Sequence, residues 1–280
     1  MHFNLLNRLA KVTLSIRCFI CVFIAFGCSI PAVSVGHAQI IPDQLELLGS
    51  AHVRVVVDGD TLVLTDGSIV RLVGIMAPKL SFGREATPQQ PFAQEARDAL
   101  DALVWDQKID LYTGGASPDR HGRILAHVFT QDGLWVQAEL LDQGMARTYT
   151  FADNRAAIDL MLEHETQARA MDVGLWSHPF FQIRDAGEPG LVPVDTFELI
   201  EGRVVEVAEF DRRIYLNFGD DWRQDTTVTI SPNNRSIFAD AEFDFAALEG
   251  KKIRVRGWTQ WYNGPVIEID HPEQIEVLEQ

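Results

Sequence analysis

Apolar and polar residues alternate most clearly in two separated stretches of the chain. In residues 51–75, Val53, Val55, Val57, Leu62 and Leu64 alternate with polar neighbours, and Asp66-Gly67 marks a hairpin turn before a strand at 69–75, so a β-meander is predicted. Residues 80–91 have loop composition. Residues 92–106 then place Ala93, Ala96, Leu100, Leu103 and Val104 on one helical face, with Pro91 suited to the helix start. Strands are expected at 108–112, 124–130 and 134–136, the last two joined by Gln131-Asp132-Gly133. Helices are expected at 137–143, stopped by Gly144, and at 154–171, where Ile158, Met161, Leu162 and Glu165 recur at helical spacing.

The second stretch begins after a linker at 183–195 that is rich in Pro, Gly and acid. Strands are predicted at 202–210, 213–218 and 226–231, a short helix at 233–239, and strands at 251–258 and 265–269. Five strands with one helix between the third and fourth form an OB-type arrangement. The fold class expected is mainly β with helices (α+β), divided into residues 46–182, a linker at 183–195 and an OB-like barrel at 196–280.

Residues 1–38 read as a signal peptide. Arg8, Lys11 and Arg17 precede an apolar run from Cys18 to Ala32, and Gly36-His37-Ala38 offers small residues for cleavage. The run is shorter than the ~20 residues a spanning helix needs, so no transmembrane segment is expected after cleavage. A periplasmic or secreted product follows, with lipid anchoring through Cys28 as the minor alternative. All three cysteines, Cys18, Cys21 and Cys28, fall in this segment, so no disulfide or thiol chemistry is expected in the remainder. The segment carries three basic residues and no acid, so its loss takes the net charge from −16 to −19. A polyanion held by many Lys and Arg contacts is thereby disfavoured, and any phosphate binding has to be local.

Three spaced motifs carry a family likeness. Asp58-Gly59-Asp60-Thr61-Leu62, then residues 70–78 from Val70-Arg71 to Ala77-Pro78, then Asp119-Arg120-His121-Gly122-Arg123 resemble the signature stretches of the thermonuclease (staphylococcal nuclease) family. Gly144-Met145-Ala146 and Gly174-Leu175-Trp176 extend the resemblance over residues 50–180. It implies an OB barrel with helices and phosphodiester chemistry. Asp60 matches the family's first calcium-ligating carboxylate, and Arg71 and Arg123 match its phosphate-binding arginines. Where the family has its second ligand Asp and its water-activating Glu, this chain has Met76 and Lys79. Met offers no oxygen to a hard cation, and a protonated Lys is a poor base at neutral pH.

Two functional readings follow. In the first, Arg71, Lys79 and Arg123 form an anion pocket without any cofactor, Lys79 pairs with Asp60 when the pocket is empty, and the protein binds a small phosphate or a protein partner. In the second, Glu85 or Glu95 replaces the lost ligands and a Ca²⁺-dependent nuclease survives. A structural role also stands open for Arg71 and Arg123, as salt-bridge partners of acids such as Asp119. Two other signals are set aside. Asp58-Gly59-Asp60 fails as an EF-hand because Leu62 and Ile69 occupy ligand positions, and the histidines show no zinc-type spacing. In 196–280, Tyr215, Trp222, Trp258, Trp261 and Tyr262 with Arg254 and Arg256 offer a stacking groove, but nine basic against 17 acidic residues favour core and interface roles.

Overall fold

A first strand too long for one partner organises the N-terminal half. The computed structural model describes residues 41–81, 83 and 88–278, so residues 1–38, read above as a signal peptide, with the three cysteines, and Glu85, lie outside the described residues. The elements run β1 (Glu46–Asp58), β2 (Thr61–Leu64), β3 (Ile69–Leu72), β4 (Gly74–Met76), α1 (Ala93–Val104), β5 (Lys108–Thr113), β6 (Ile124–Thr130), α2 (Val136–Asp142), β7 (Arg147–Tyr149) and α3 (Ile158–Ala170). Through residues 46–52, β1 pairs with β5, and through 53–58 with β2, closing a barrel of order β1-β2-β3-β6-β5 in which β3 and β6 are parallel. The buried side of α1 packs Leu100 and Val104 into this core, and α2 adds Val136, Leu140 and Leu141.

Three local expectations need correction. Val53 and Val56 are buried while Val55 is exposed, because a register shift between Val53 and Val55 breaks the two-residue alternation. Residues 134–136 form a single bridge, Phe129 to Trp135, and no strand, because Val136 already starts the helix that covers the barrel. Helix α3 starts at Ile158 and not at residue 154. The intervening chain is held by Asn154, which donates to the Ala116 carbonyl, and Ala157 is left-handed at φ 59°. The glycines of the last two matching segments meet. Gly144 and Gly174 both have positive φ, the Leu175 N–H donates to the Gly144 carbonyl at 2.8 Å, and a Cβ on Gly174 would lie 2.3 Å from that carbonyl oxygen.

The C-terminal half runs β8 (Arg184–Asp185), β9 (Phe197–Arg203), β10 (Glu206–Phe210), β11 (Arg213–Asn217), β12 (Thr227–Ile230), α4 (Arg235–Asp240), β13 (Lys252–Trp261), β14 (Pro265–Ile269) and β15 (Ile275–Val277). Its sheet order is β10-β11-β12-β14-β13-β9-β8, with β15 also on β13. Strands β9 and β10 are halves of one bent strand. Between them the Val204 N–H donates to Lys251 on one side, at 2.9 Å, and the Val205 N–H to Asn217 on the other, at 2.8 Å. The ring thus repeats the order of the first barrel, with β12 and β14 parallel and α4 between the third and fourth strands. Alternate residues such as Ile214, Leu216, Val228, Ile230, Ile253 and Val255 fill it. The connecting residues belong to this body: β8 pairs with β9, and Ala186 and Val192 are buried in its core.

A third apolar cluster lies between the barrels, where Ala168, Leu175, Trp176 and Phe181 meet Phe197 and Leu199 of β9. Beside it Glu165 of α3, fully buried, receives both terminal nitrogens of Arg256 of β13 at 3.0 Å, together with Arg169 at 2.8 Å and the Thr148 N–H at 2.6 Å. Burial alone would raise the Glu165 carboxyl, but Arg256 and Arg169 outweigh it and hold the group below its ordinary range. Arg254 and Arg256 therefore do not read a groove: Arg256 also pairs with Glu276, and Arg254 pairs with Glu201 and Glu276.

Glu165→Ala leaves Arg256 buried with Glu276 as its one remaining acid and the Thr148 N–H without its acceptor. The expected loss in urea unfolding is about 3–5 kcal/mol. Arg213→Ala, which breaks a half-exposed pair with Glu268, is expected to cost about 1 kcal/mol or less. A second prediction concerns acid. Burial pushes His127 of β6 down to about 4, from an ordinary value near 6.5. Below pH 6.5 the unfolded chain takes up this proton and the folded chain does not, so stability falls with pH by about 3 kcal/mol on reaching pH 4. Denaturation midpoints at pH 7 and pH 4.5 should differ less for His127→Leu than for the natural chain.

Candidate functional site

The turn between β1 and β2 places Asp60 beneath Arg71 and Lys79, which line a cleft. Gly59 permits this, since a Cβ there would lie 2.6 Å from the Ala77 methyl and 2.7 Å from the Ala96 methyl of α1. Asp60 is fully buried. Its carboxylate accepts the Ala77 N–H at 2.8 Å and the Thr61 hydroxyl at 3.1 Å, and stands 3.2 Å from the Arg71 guanidinium. Lys79 Nζ sits across both carboxylate oxygens, at 2.9 and 2.7 Å. The loop that carries Lys79 is clamped at its backbone, where the Lys79 N–H donates to the Gln90 side chain at 2.9 Å and the Gln90 N–H to the Lys79 carbonyl at 3.0 Å. Burial opposes ionisation of Asp60, but Arg71 and Lys79 prevail and hold it well below the usual carboxylate range. Asp58, 3.8 Å from Lys79, is instead pushed up by burial and by the neighbouring Asp60 charge.

The three cations differ in how much of each remains for a ligand. The Arg71 guanidinium donates to the Leu72 and Ile75 carbonyls at 2.5 and 2.7 Å, which ties the β3–β4 junction together. Arg123 donates Nε and one terminal nitrogen to Asp119, at 2.8 and 2.7 Å, and keeps a third of its side-chain surface exposed. Lys79 keeps a similar share. All three line one cleft of about 600 Å³, together with Met76, Arg120, His121, Tyr149, Phe151 and Trp258. A larger open groove of about 780 Å³ lies beside the Arg155–Glu273 pair and includes none of these cations.

The donor set does not suit a hard divalent cation. The Asp60 oxygens are taken by an ammonium, a guanidinium and an N–H, and Met76 brings no oxygen. Its side chain packs against the apolar cluster between the barrels. Glu95 lies on the exposed side of α1, and among the described residues no group of three or more His, Cys, Asp or Glu could hold a metal ion. Sequence reasoning missed the part of the C-terminal barrel in this cleft. Trp258 follows Arg256 by two residues on β13, so strand alternation puts both on the face toward the first barrel. That spacing was the available signal.

Comparison with known proteins agrees with the geometry. The family described as staphylococcal nuclease homologue matches residues 69–178. Protein ParB of Escherichia coli is 38% identical over 149 residues, covering 49% of this chain and 77% of ParB. A probable endonuclease lcl3 of Pyrenophora tritici-repentis is 33% identical over 131 residues, covering 44% of this chain and 46% of that protein. The thermonuclease of Staphylococcus hyicus is 29% identical over 126 residues, covering 44% of this chain and 73% of the thermonuclease. This chain thus spans about half the length of the first-named endonuclease and about three-quarters of the other two. With the motifs on a closed five-stranded barrel and ParB aligned over most of its length, the chain belongs to the staphylococcal nuclease-like, or thermonuclease, family.

Proposed function

We propose that this chain is an exported, non-catalytic member of its family that binds a small or terminal phosphate in the Asp60 cleft. The observation that carries this reading is the Lys79 ammonium spanning both Asp60 oxygens, where a family nuclease would hold its cation. A phosphate that enters the cleft meets Lys79 and Arg123, whose present partners Asp60 and Asp119 already balance part of their charge. Binding is therefore an exchange of ion-pair partners, and so modest in affinity. Long nucleic acid is disfavoured because a net charge of −19 after loss of residues 1–38 repels a polyanion beyond the local cations. The names of the relatives favour a second reading, an active nuclease; the replacement it requires, by Glu85 or Glu95, finds no support in the exposed position of Glu95.

Two measurements separate these readings. Removal of a general base alone slows catalysis by ~10² to 10⁴, and loss of the metal adds to this, so the purified protein is expected to show no Ca²⁺-stimulated, chelator-sensitive digestion of DNA or RNA. Digestion lost on Asp60→Ala and on chelation would establish the nuclease reading instead. The melting temperature of the natural chain should not respond to millimolar Ca²⁺, whereas Met76→Asp with Lys79→Glu should acquire a Ca²⁺-dependent rise. Inorganic phosphate should bind the natural chain in calorimetry, more weakly as salt shortens the screening length from ~10 Å at 0.1 M.

A further inference from the structure

The family match ends at residue 178, yet the cleft has a wall from beyond it. We infer that the C-terminal barrel supplies the ring-binding half of the cleft, with Trp258 the specificity-determining residue for a nucleotide over free phosphate. This inference rests on the phosphate reading above. The side chain is held without being covered. Its indole N–H donates to the Tyr149 hydroxyl at 3.1 Å, and its edge meets Phe197, with ring centres 6.4 Å apart. Phe197 behind it is buried, while Trp258 remains 48% exposed. The indole thus keeps open surface beside Lys79 and Arg123 in the cleft.

The platform is rigid for a reason visible in the strand. On the same face of β13, Arg254 and Arg256 are fixed by Glu201, Glu276 and Glu165, so the backbone that carries Trp258 is pinned next to the ring. Tyr149 is packed in turn between Phe151 and Phe197, at 4.8 and 5.0 Å between ring centres. Little conformational freedom remains to be lost when a planar ring stacks here. Lys79 and Arg123 line the same cleft, and its volume of about 600 Å³ suits one small ligand. A fixed aromatic face and a cation pair in one small cleft match a phosphate that carries a planar base. The proposed ligand is a mononucleotide or the last nucleotide of a strand.

Calorimetry on the purified protein tests this with inorganic phosphate, adenosine 3′,5′-bisphosphate and adenosine. In the natural chain the bisphosphate should bind about tenfold or more tightly than phosphate, because stacking on one aromatic side chain contributes about that factor. Trp258→Ala should abolish the difference and leave phosphate affinity unchanged. Trp258→Phe should keep most of it, which guards against a general loss of fold, and Arg123→Ala should weaken both anions. The inference fails, and the phosphate reading survives, if phosphate binds but the bisphosphate gains nothing, or if Trp258→Ala leaves the gain intact. Equal loss for phosphate and bisphosphate in Trp258→Ala would also overturn it. If neither anion binds the natural chain, both readings fall together.

Discussion

The buried pair between Glu165 and Arg256 is the constraint on which the two-barrel arrangement depends. A carboxylate and a guanidinium removed from water gain little over an apolar pair of similar size, but either one left alone is strongly destabilising. Glu165 sits on a helix of the first barrel and Arg256 on a strand of the second, so each barrel adds a counter-charge to a buried group of the other, beside the partners Arg169 and Glu276 that each group has in its own half. Apolar packing of Phe197 and Leu199 against Leu175 and Trp176 excludes water from the pair. Around it, Arg155 with Glu273, and Thr150 with His271, add directional contacts that fix how the barrels face each other.

That fixed placement reaches the site. Met76 packs its side chain into the inter-barrel cluster and lines the cleft together with Trp258 of the second barrel. A carboxylate at residue 76 would lie against an apolar surface that the added barrel helps to create. Lys79 then neutralises Asp60, which would otherwise be a buried carboxylate balanced by Arg71 alone.

The two barrels share one topology but carry different loads. In the first, the turn at Gly59 and the β3–β4 junction aim Asp60, Arg71 and Lys79 at one point. In the second, the outward-facing arginines of β13 are spent on acids of neighbouring strands and of α3. One barrel presents its charges to a cleft and the other uses them to dock. This follows from partner placement, since both have a comparable share of buried aliphatic residues within their rings.

Much of this was legible in the residues alone. Period-two alternation with turn residues at Asp66-Gly67 located most strands of both halves, because one face of each strand must be apolar to fill a core. The motif residues located Asp60, Arg71, Lys79 and Arg123, and the mismatch of charge at residue 79 implied the ion pair with Asp60. Other features were decided only in three dimensions. The bulge that exposes Val55 and the loop that delays α3 depend on pairing partners and capping contacts that carry no local pattern. Arg254 and Arg256 had the same alternation whether they faced a ligand or buried acids. Their role, and the entry of Trp258 into the cleft, were set by which surface packs against the strand, and that is a property of the folded pair of barrels.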